Sequence, residues 1–309
     1  MSTILYSHPA CLDHDPGTMH PESPARLKAV LAALDADEFA SLERREAPRA
    51  EKDQIARMHP PEFVEAVLDA IPAEGHGSFD MDTIVSPGSG EAALRAAGAV
   101  CAAVDAVMAG EADNAFCAVR PPGHHAEQAR AMGFCLFNNV AVGAAQARDA
   151  HGLERIAVVD FDVHHGNGTQ AMFWDDANLF YASTHQAPFY PGTGAVGERG
   201  AADNIVNLPL SAMSGSEEFR RAMSERLLPA LNAFRPDFLL VSAGFDAHLA
   251  DPLAQLRFHE DDFAWATDQL LAVARACCGG RLVSTLEGGY DLRALGASAA
   301  AHVRALMAA

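Results

Sequence analysis

The sequence is poor in basic side chains. Its 309 residues include 22 Lys and Arg against 41 Asp and Glu, which gives a formal net charge of −19 at pH 7. A phosphate-binding surface needs clustered Lys and Arg, so this composition argues against nucleic acid as a partner. Long-range attraction would favour a cationic substrate, such as a lysine-rich tail or a polyamine. Solubility is the simpler explanation of the acidic balance.

Disulfide motifs, a secretory signal and membrane-spanning segments are also missing. The six cysteines have no CxxC spacing and form no disulfide framework, which predicts buried free thiols in a reducing cytoplasm. The first residues lack a basic region followed by an apolar core, so no signal peptide is predicted. The most apolar helical stretch, 92–109, is interrupted by Arg95 and Asp105. It is interpreted as a buried helix, and no membrane is predicted as a partner.

Short apolar runs alternate with helical patterns along the chain. Strands are predicted at 3–7, 114–119, 155–161, 178–183, 204–208, 237–242 and 281–286. Helices are predicted at about 24–34, 60–70, 89–109, 136–150, 216–233, 260–276 and 291–307. The alternation indicates an α/β fold with a mostly parallel central sheet covered by helices on both faces. No repeat, heptad or low-complexity linker divides the chain, so a single domain over 1–309 is predicted.

Polar side chains follow four of the predicted strands. The clusters are Pro121–His125, Asp160–Asn167, Ala243–His248 and Glu287–Asp291. In an open α/β sheet, ligands bind beyond the carboxyl ends of the strands. The four clusters are therefore predicted to converge at one edge of the sheet and to form the functional site.

The segment 158–170, VVDFDVHHGNGTQ, contains candidate metal ligands. Asp160, Asp162 and His164 are spaced by two, and residues two apart at a strand end face the same side. Asp246 follows a later predicted strand and offers a further ligand. Two carboxylates and one imidazole would hold a divalent metal, and ligand type leaves zinc, Fe(II), Co(II) and Mn(II) open. Capping of the next helix or turn is the structural alternative for these side chains.

Three further residues indicate what a metal would be used for. His124 and His125 follow a loop stiffened by two prolines, and histidine titrates near neutral pH, so the pair is a candidate for proton transfer. Asp160 and Asn167 are natural partners for the far ring nitrogens. Tyr290 follows two glycines at a strand end. Its phenol could donate to an oxyanion beside the metal, although a lone tyrosine there usually belongs to the core or rim.

Together these motifs resemble the zinc-dependent histone deacetylase superfamily. The matching segments, in the family's order, are HPESPARL (20–27), RPPGHHAEQ (120–128), GFCLFNN (133–139), DFDVHHGNGTQ (160–170), SAGFDAH with DPL (242–253) and LEGGYD (286–291). The resemblance covers roughly residues 4–307. It implies an arginase-like, deacetylase-type three-layer α/β/α fold and hydrolysis of a linear amide, with zinc held by Asp162, His164 and Asp246.

The resemblance implies catalytic roles position by position. His124 and His125 match the family's histidine pair, of which the second is the general base and acid. Asp160 matches the carboxylate behind the first histidine. Asn167 matches the residue behind the second, and asparagine there resembles class II and bacterial members. A neutral partner should leave His125 less basic than an aspartate would. Tyr290 matches the tyrosine that stabilises the transition state, which implies an active enzyme.

The resemblance also implies substrate contacts. Phe134 and Tyr190 match the aromatics that flank an acyl-lysine tunnel. Leu253 stands where polyamine-selecting relatives carry Glu, which favours a less charged substrate. Asp80 and Asp82 lie on a loop that contacts the substrate backbone in the family, and a solvated turn is the alternative. The full set of implied contacts is Pro21, Asp82, Gly133, Phe134, Tyr190, Leu253 and Gly289.

Monovalent cations are implied at two places. The inner set, where potassium is expected, is Asp160, Asp162, His164, Ser183 and Thr184. The outer set is Phe173, Asp176 and Leu179.

Three functions remain open from the sequence. The first is a deacylase that releases acetate from acetyl-lysine, and the second is an amidohydrolase for acetylpolyamines or other small acylated amines. The third is a catalytically silent binding protein, against which the complete set of ligands, histidines and Tyr290 speaks. The oligomeric state stays open, with a homodimer and a tetramer among the alternatives. Brevity and composition suggest a bacterial source.

Overall fold

The computed structural model describes residues 2–308. The strands are β1 (Thr3–Ser7), β2 (Glu43–Glu46), β3 (Gly77–Ser78), β4 (Ile84–Val85), β5 (Asn114–Cys117), β6 (Ile156–Asp160), β7 (Leu179–Gln186), β8 (Ile205–Leu210), β9 (Phe238–Ala243) and β10 (Leu282–Leu286). The α-helices are α1 (Pro24–Ala33), α2 (Lys52–Ile55), α3 (Pro61–Asp69), α4 (Ser89–Met108), α5 (Asn139–Asp149), α6 (Asn167–Phe173), α7 (Ser216–Ala222), α8 (Leu228–Phe234), α9 (Glu260–Cys278) and α10 (Leu292–Ala308). A π-helical turn, Met223–Leu227, joins α7 to α8.

Eight strands form one parallel sheet in the order β2-β1-β5-β10-β9-β6-β7-β8. All seven predicted strands lie in this sheet, so the predicted parallel α/β fold is confirmed. The eighth strand, β2, was not predicted because its sequence, ERRE, has no apolar run. It lies at the sheet edge and is mostly exposed. Charged edge strands resist pairing with other chains.

The sheet order explains how the polar clusters meet. The four clusters follow β5, β10, β9 and β6, and these strands are consecutive neighbours in the middle of the sheet. Because all four strands are parallel, their carboxyl ends lie at the same edge. The predicted convergence is therefore confirmed, and the topology supplies its cause.

Helices cover the sheet and bury its apolar strands. Helix α10 packs against α9 and α1, and α4 packs against α5. Strands β5, β6, β9 and β10 are buried along their whole length, as expected for parallel strands inside a layered fold. Helix α9 is followed by Gly279, which takes the left-handed conformation at φ +64 and caps the helix.

The apolar stretch 92–109 belongs to α4, and most of its residues are buried. Within residues 2–308, no helix combines the length and the apolar character needed to cross a membrane. All six cysteines are free. The predictions of a buried helix and of free thiols are thus confirmed.

Candidate active site

Two carboxylates and one imidazole meet at the carboxyl edge of the sheet. Asp162 and His164 follow β6, Asp246 follows β9, and one ligand atom from each lies within 4.8 Å of the others. The Nδ1 atom of His164 is 3.0 Å from Asp162 Oδ1 and 3.2 Å from Asp246 Oδ2. All three side chains are buried. The predicted ligands are therefore brought together.

The reason that Asp162 and His164 face the same point differs from the prediction. Strand β6 ends at Asp160, so alternation along a strand does not orient them. Loop hydrogen bonds orient them instead: the Asp162 N–H donates to Asp160 Oδ1 at 3.1 Å, and the His164 N–H donates to Asp162 Oδ1 at 2.9 Å. The Val163 N–H donates to Asp246 Oδ1 at 2.8 Å, which joins the two ligand segments.

The donor set fits a divalent cation. Asp246 Oδ2 is buried and accepts no well-aligned hydrogen bond from residues 2–308, although His164 Nδ1 lies 3.2 Å away. Burial raises the pKa of Asp246, and the nearby Asp162 carboxylate raises it further. Gly288 donates its N–H to Asp162 Oδ2 at 2.7 Å. A Cβ at Gly288 would overlap both carboxylates, so this position requires glycine. A cation between the carboxylates would remove their repulsion and pair the free oxygen.

His124 lies behind the ligands and is paired with a carboxylate. Its Nδ1 atom is 2.9 Å from Asp160 Oδ2, which also accepts a hydrogen bond from the Tyr181 hydroxyl at 3.0 Å. Burial alone would lower the pKa of His124, but the carboxylates of Asp160 and Asp162 overcome it and raise the pKa to about 10. His124 is therefore held as an imidazolium.

His125 has a neutral partner, as predicted from Asn167. The Nδ1 atom of His125 is 2.8 Å from Asn167 Oδ1. The Asn167 amide nitrogen donates to Glu127 Oε1 at 2.8 Å, so the amide oxygen must face the imidazole. Nδ1 of His125 consequently carries the proton, which leaves Nε2 with a lone pair. Burial lowers the pKa of His125, and the neighbouring His124 and His164 lower it further.

Two side chains whose role was not evident from the sequence, Asp251 and Arg26, hold Tyr290 and its loop. Its backbone N–H donates to Asp251 Oδ2 at 2.7 Å. Arg26 donates from Nε to the Gly289 carbonyl at 2.6 Å and from Nη2 to the Glu287 carbonyl, and its guanidinium lies 4.8 Å from the Tyr290 ring centroid. Burial raises the pKa of Tyr290 well above its ordinary value. Its hydroxyl therefore stays protonated and can act as a hydrogen-bond donor.

Aromatic rings surround the ligands and the histidines. The Phe134 ring lies 6.0 Å from that of Tyr290 and 4.8 Å from that of His20, whereas the Tyr190 ring lies 5.2 Å from that of His125. Phe189, which was not predicted, stacks on His164 with ring centroids 5.2 Å apart. Its position next to Tyr190 was the only available signal.

Gly133 is required where the chain passes His125. Its φ is +57, and an added Cβ would lie 2.6 Å from the His125 ring. Glycine adopts this conformation without steric cost. The tight approach sets the Phe134 ring beside the site.

Leu253 and Pro21 lie near residues that hold the Tyr290 loop: Asp251 in the first case, and Glu22, the partner of Arg26, in the second. The Leu253 N–H donates to Asp251 Oδ1 at 3.0 Å, and the other oxygen of Asp251 binds the Tyr290 N–H. Pro21 is half-buried and precedes Glu22.

Asp80 and Asp82 lie in a turn near Tyr190. The Asp82 carbonyl accepts a hydrogen bond from His20 Nε2 at 2.8 Å, and Asp80 Oδ1 accepts the backbone N–H of Asp82 at 3.1 Å. Burial raises the pKa of Tyr190, and the negative charges of Asp82 and Asp80 add to the rise. Both carboxylates therefore contribute negative electrostatic potential at Tyr190.

A buried ion cluster that was not predicted from the sequence holds Arg26, which in turn binds the Tyr290 loop. Glu22 pairs with Arg26 at 3.0 Å, with His14 at 3.2 Å and with Arg120. Burial opposes ionisation of Glu22, but Arg120 and His14 hold its pKa well below the ordinary value. Glu22, just before α1, and Arg26, in its first turn, are four residues apart, which was a usable signal in the sequence.

The two implied cation sets differ in their surroundings. Asp160 and Ser183 of the inner set are paired in the register of β6 and β7. The hydroxyl of Thr184 is buried and, among the described residues, has no hydrogen-bond partner. In the outer set, the carbonyl oxygens of Phe173, Asp176 and Leu179 all accept from the side-chain amide of Asn204. The outer arrangement thus differs from the one that the resemblance implied.

Fold and site together define an α/β amidohydrolase with a candidate metal centre. The histone deacetylase domain model matches residues 20–306, and the chain belongs to this family.

The relatives agree with this assignment. The histone deacetylase-like amidohydrolase of Pseudomonas aeruginosa is 43% identical over 278 residues, which are 88% of this chain and 73% of that protein. Histone deacetylase 14, chloroplastic, of Arabidopsis thaliana is 39% identical, covering 98% of this chain and 76% of that protein. The crystal structure of the HDA15 HD domain matches with a TM-score of 0.94 at 36% identity, over 99% of this chain and 88% of that one. The resemblance and the fold predicted from the sequence are confirmed.

Proposed function

We propose that the protein is a zinc-dependent deacylase that hydrolyses acetyl-lysine, or a related N-acyl amine, to acetate and the free amine. The observation that carries this proposal is the orientation of His125. Its Nδ1–H is committed to Asn167 Oδ1 at 2.8 Å, and its ring centroid lies 5.8 Å from that of His164. A base with a free Nε2 thus lies beside the candidate metal centre.

Asp162, His164 and Asp246 would hold the zinc ion. Two carboxylates and one imidazole are a donor set that zinc accepts while leaving positions open. Bound zinc would supply Lewis acidity, polarising the acyl carbonyl and lowering the pKa of a water molecule. The pairing of His164 Nδ1 with both carboxylates, at 3.0 and 3.2 Å, supports this assignment.

His125 is the proposed general base and then the general acid. Nε2 takes a proton from the attacking water and later delivers it to the leaving amine nitrogen, so the proton is conserved over the cycle. His124 stays charged beside Asp160, and its positive charge stabilises the negative oxygen that develops nearby. The different partners of the two histidines, a carboxylate and an amide, support this division of roles.

Tyr290 is the proposed oxyanion donor. Its protonated hydroxyl donates a hydrogen bond to the oxygen of the tetrahedral intermediate. The contacts of Arg26 and Asp251 with its loop support a fixed donor position, because a preorganised donor needs little reorganisation during the reaction.

Phe134 and Tyr190 are the proposed walls for the acyl-bearing chain, with Pro21, Gly133, Gly289 and Leu253 completing the surroundings. Contact of Phe134 with Tyr290, and of Tyr190 with His125, supports this role. An aliphatic chain between aromatic rings would exclude water from the reacting amide. Asp82 is a proposed contact for a substrate N–H. The residues of the inner set are proposed to bind a potassium ion.

Small cationic acyl amines are the second candidate substrates. The negative charges of Asp80 and Asp82 act at Tyr190 and would attract a distal ammonium group. Leu253 favours the first candidate, because a carboxylate at that position would have bound the same ammonium. The free state of all six cysteines supports a reducing compartment such as the cytoplasm.

Metal analysis and a two-substrate assay test the proposal. We expect about one zinc ion per chain and faster hydrolysis of an acetyl-lysine peptide than of N-acetylputrescine. Metal-free protein without hydrolysis on either substrate would overturn it. Leu253→Glu should shift preference toward N-acetylputrescine, and Leu253→Gln, which changes polarity without charge, should not. A preference of the wild-type enzyme for the polyamine would favour the second candidate.

A further inference from the structure

Three backbone carbonyl groups converge on one point in the turn between α6 and β7. They belong to Phe173, the last residue of α6, to Asp176, and to Leu179, the first residue of β7. The side-chain Nδ2 atom of Asn204, just before β8, lies 2.8, 3.1 and 2.6 Å from their oxygens, respectively. Nδ2 thus occupies the position that a cation bound by all three carbonyls would need.

The orientation of the Asn204 amide follows from its surroundings. The opposite face of the side chain, Oδ1, accepts the Ala202 N–H at 3.4 Å. A flipped amide would turn Oδ1 toward three carbonyl oxygens and leave the Ala202 N–H facing an NH2 group. Both changes are unfavourable, because carbonyl oxygens accept hydrogen bonds and cannot donate them. Nδ2 therefore faces the carbonyls, with its two hydrogens shared among three acceptors.

The burial of Asn204 and the pairing of the polar groups around it agree with this arrangement. Asn204 is 4% exposed, so the amide is screened from water. The Asp176 carboxylate, which could otherwise support a cation, is paired with Arg148 at 2.5 Å. The Asn204 carbonyl is also occupied, since it accepts the Tyr181 N–H at 3.1 Å.

We propose that the Asn204 amide replaces a monovalent cation at the outer carbonyl cluster of Phe173, Asp176 and Leu179. The amide supplies the partial positive charge that three convergent carbonyl dipoles require. It fastens the end of α6 to the starts of β7 and β8 without an ion. This inference concerns a structural site and does not depend on the proposed reaction.

Thallium(I), a heavy-atom substitute for potassium, tests the wild-type protein directly. Crystals of the full chain grown without potassium are soaked in a thallium(I) salt, and anomalous scattering locates the ion. We expect no anomalous peak at the outer cluster. A peak bound by the carbonyl oxygens of Phe173, Asp176 and Leu179 in the wild-type protein would overturn the proposal.

Asn204→Asp tests the amide without changing its shape. It replaces the donor by a carboxylate, so four oxygens would repel one another unless a cation joins them. In choline chloride the melting temperature should fall by at least about 4 °C, and an equal ionic strength of potassium chloride should recover most of the loss. Asn178→Asp makes the same change at an exposed position of the same turn and should not acquire this potassium dependence. A melting temperature of Asn204→Asp equal to that of the wild type in choline chloride would show that the amide does not hold the cluster.

Discussion

The buried carboxylate of Glu287 accepts a hydrogen bond of 2.7 Å from the backbone N–H of Gly123. The same oxygen accepts the His124 N–H at 3.2 Å, and the other oxygen accepts the Ser242 hydroxyl at 3.0 Å. Arg26 donates to the backbone carbonyl of Glu287. One residue therefore connects the histidine loop, the end of β9 and the Tyr290 loop.

Glu287→Gln should lower kcat about tenfold with little change in KM, because the carboxylate that accepts from the histidine loop becomes a neutral amide, whose hydrogen bonds are weaker. Steady-state kinetics on an acetyl-lysine peptide measures the split, and metal content should stay at the wild-type level. Glu62→Gln, the same change at an exposed position on α3, is the matched control. A rise in KM with unchanged kcat would contradict a role in positioning His124 and His125.

Asn167→Asp should move the acidic limb of the pH–rate profile to higher pH. A negative partner raises the pKa of His125, so the base becomes protonated, and activity is lost, at a higher pH than in the wild type. The profile of kcat/KM against pH measures the shift. Asn232→Asp, an exposed change on α8, should leave the limb in place. A shift of the limb to lower pH would be inconsistent with His125 as the base.

Tyr290→Phe should lower kcat by about two to three orders of magnitude, because it removes one oxyanion donor and keeps the ring. Metal content and melting temperature should change little, since the loop is held through backbone atoms. Tyr6→Phe makes the same change on β1, away from the site. Full activity of Tyr290→Phe would remove the hydroxyl from the mechanism.

His302 should make the protein less stable as the pH falls. It is buried between the hydroxyls of Thr267 and Ser284, at 2.6 and 2.8 Å, and burial lowers its pKa to about 3. The unfolded state, with a histidine pKa of about 6.5, binds the proton more readily than the folded state over the interval between these values. Stability that is present above about pH 6.5 is therefore lost on acidification, by up to about 1.4 kcal/mol per pH unit.

Urea unfolding of wild type and His302→Gln at several pH values measures this contribution. The variant should show a smaller dependence of the unfolding free energy on pH. Thr267→Ala keeps the imidazole, so it should lower stability while retaining the wild-type pH slope. Equal slopes for wild type and His302→Gln would contradict the prediction.

Several elements and residues could not be predicted from the sequence, for physical reasons. Strand β2 carries no apolar pattern because it lies at an edge of the sheet. Helix α6 begins with Asn167, in a segment whose residue types serve the active site and do not show a helical apolar pattern. Phe189 looks ordinary along the chain, and Asp251 lies in a recognised motif without an evident role; their contacts with His164 and with the Tyr290 N–H give them meaning. Asn204 is a single polar residue before a strand, and nothing local links it to the turn after α6.

The sequence by itself determined the alternation of buried strands and helices, the position of four polar motifs at strand ends, and the identities of the candidate metal ligands, histidines and tyrosine. Those features depend on local apolar patterns and on residue types. The tertiary structure decided which groups orient them. Glu287 reaches Gly123 across 164 positions, and Arg26 reaches Gly289 across 263. Such partners are set by the order of strands in the sheet, which local periodicity does not encode. For the same reason, only the fold could place the amide of Asn204 where a cation was expected.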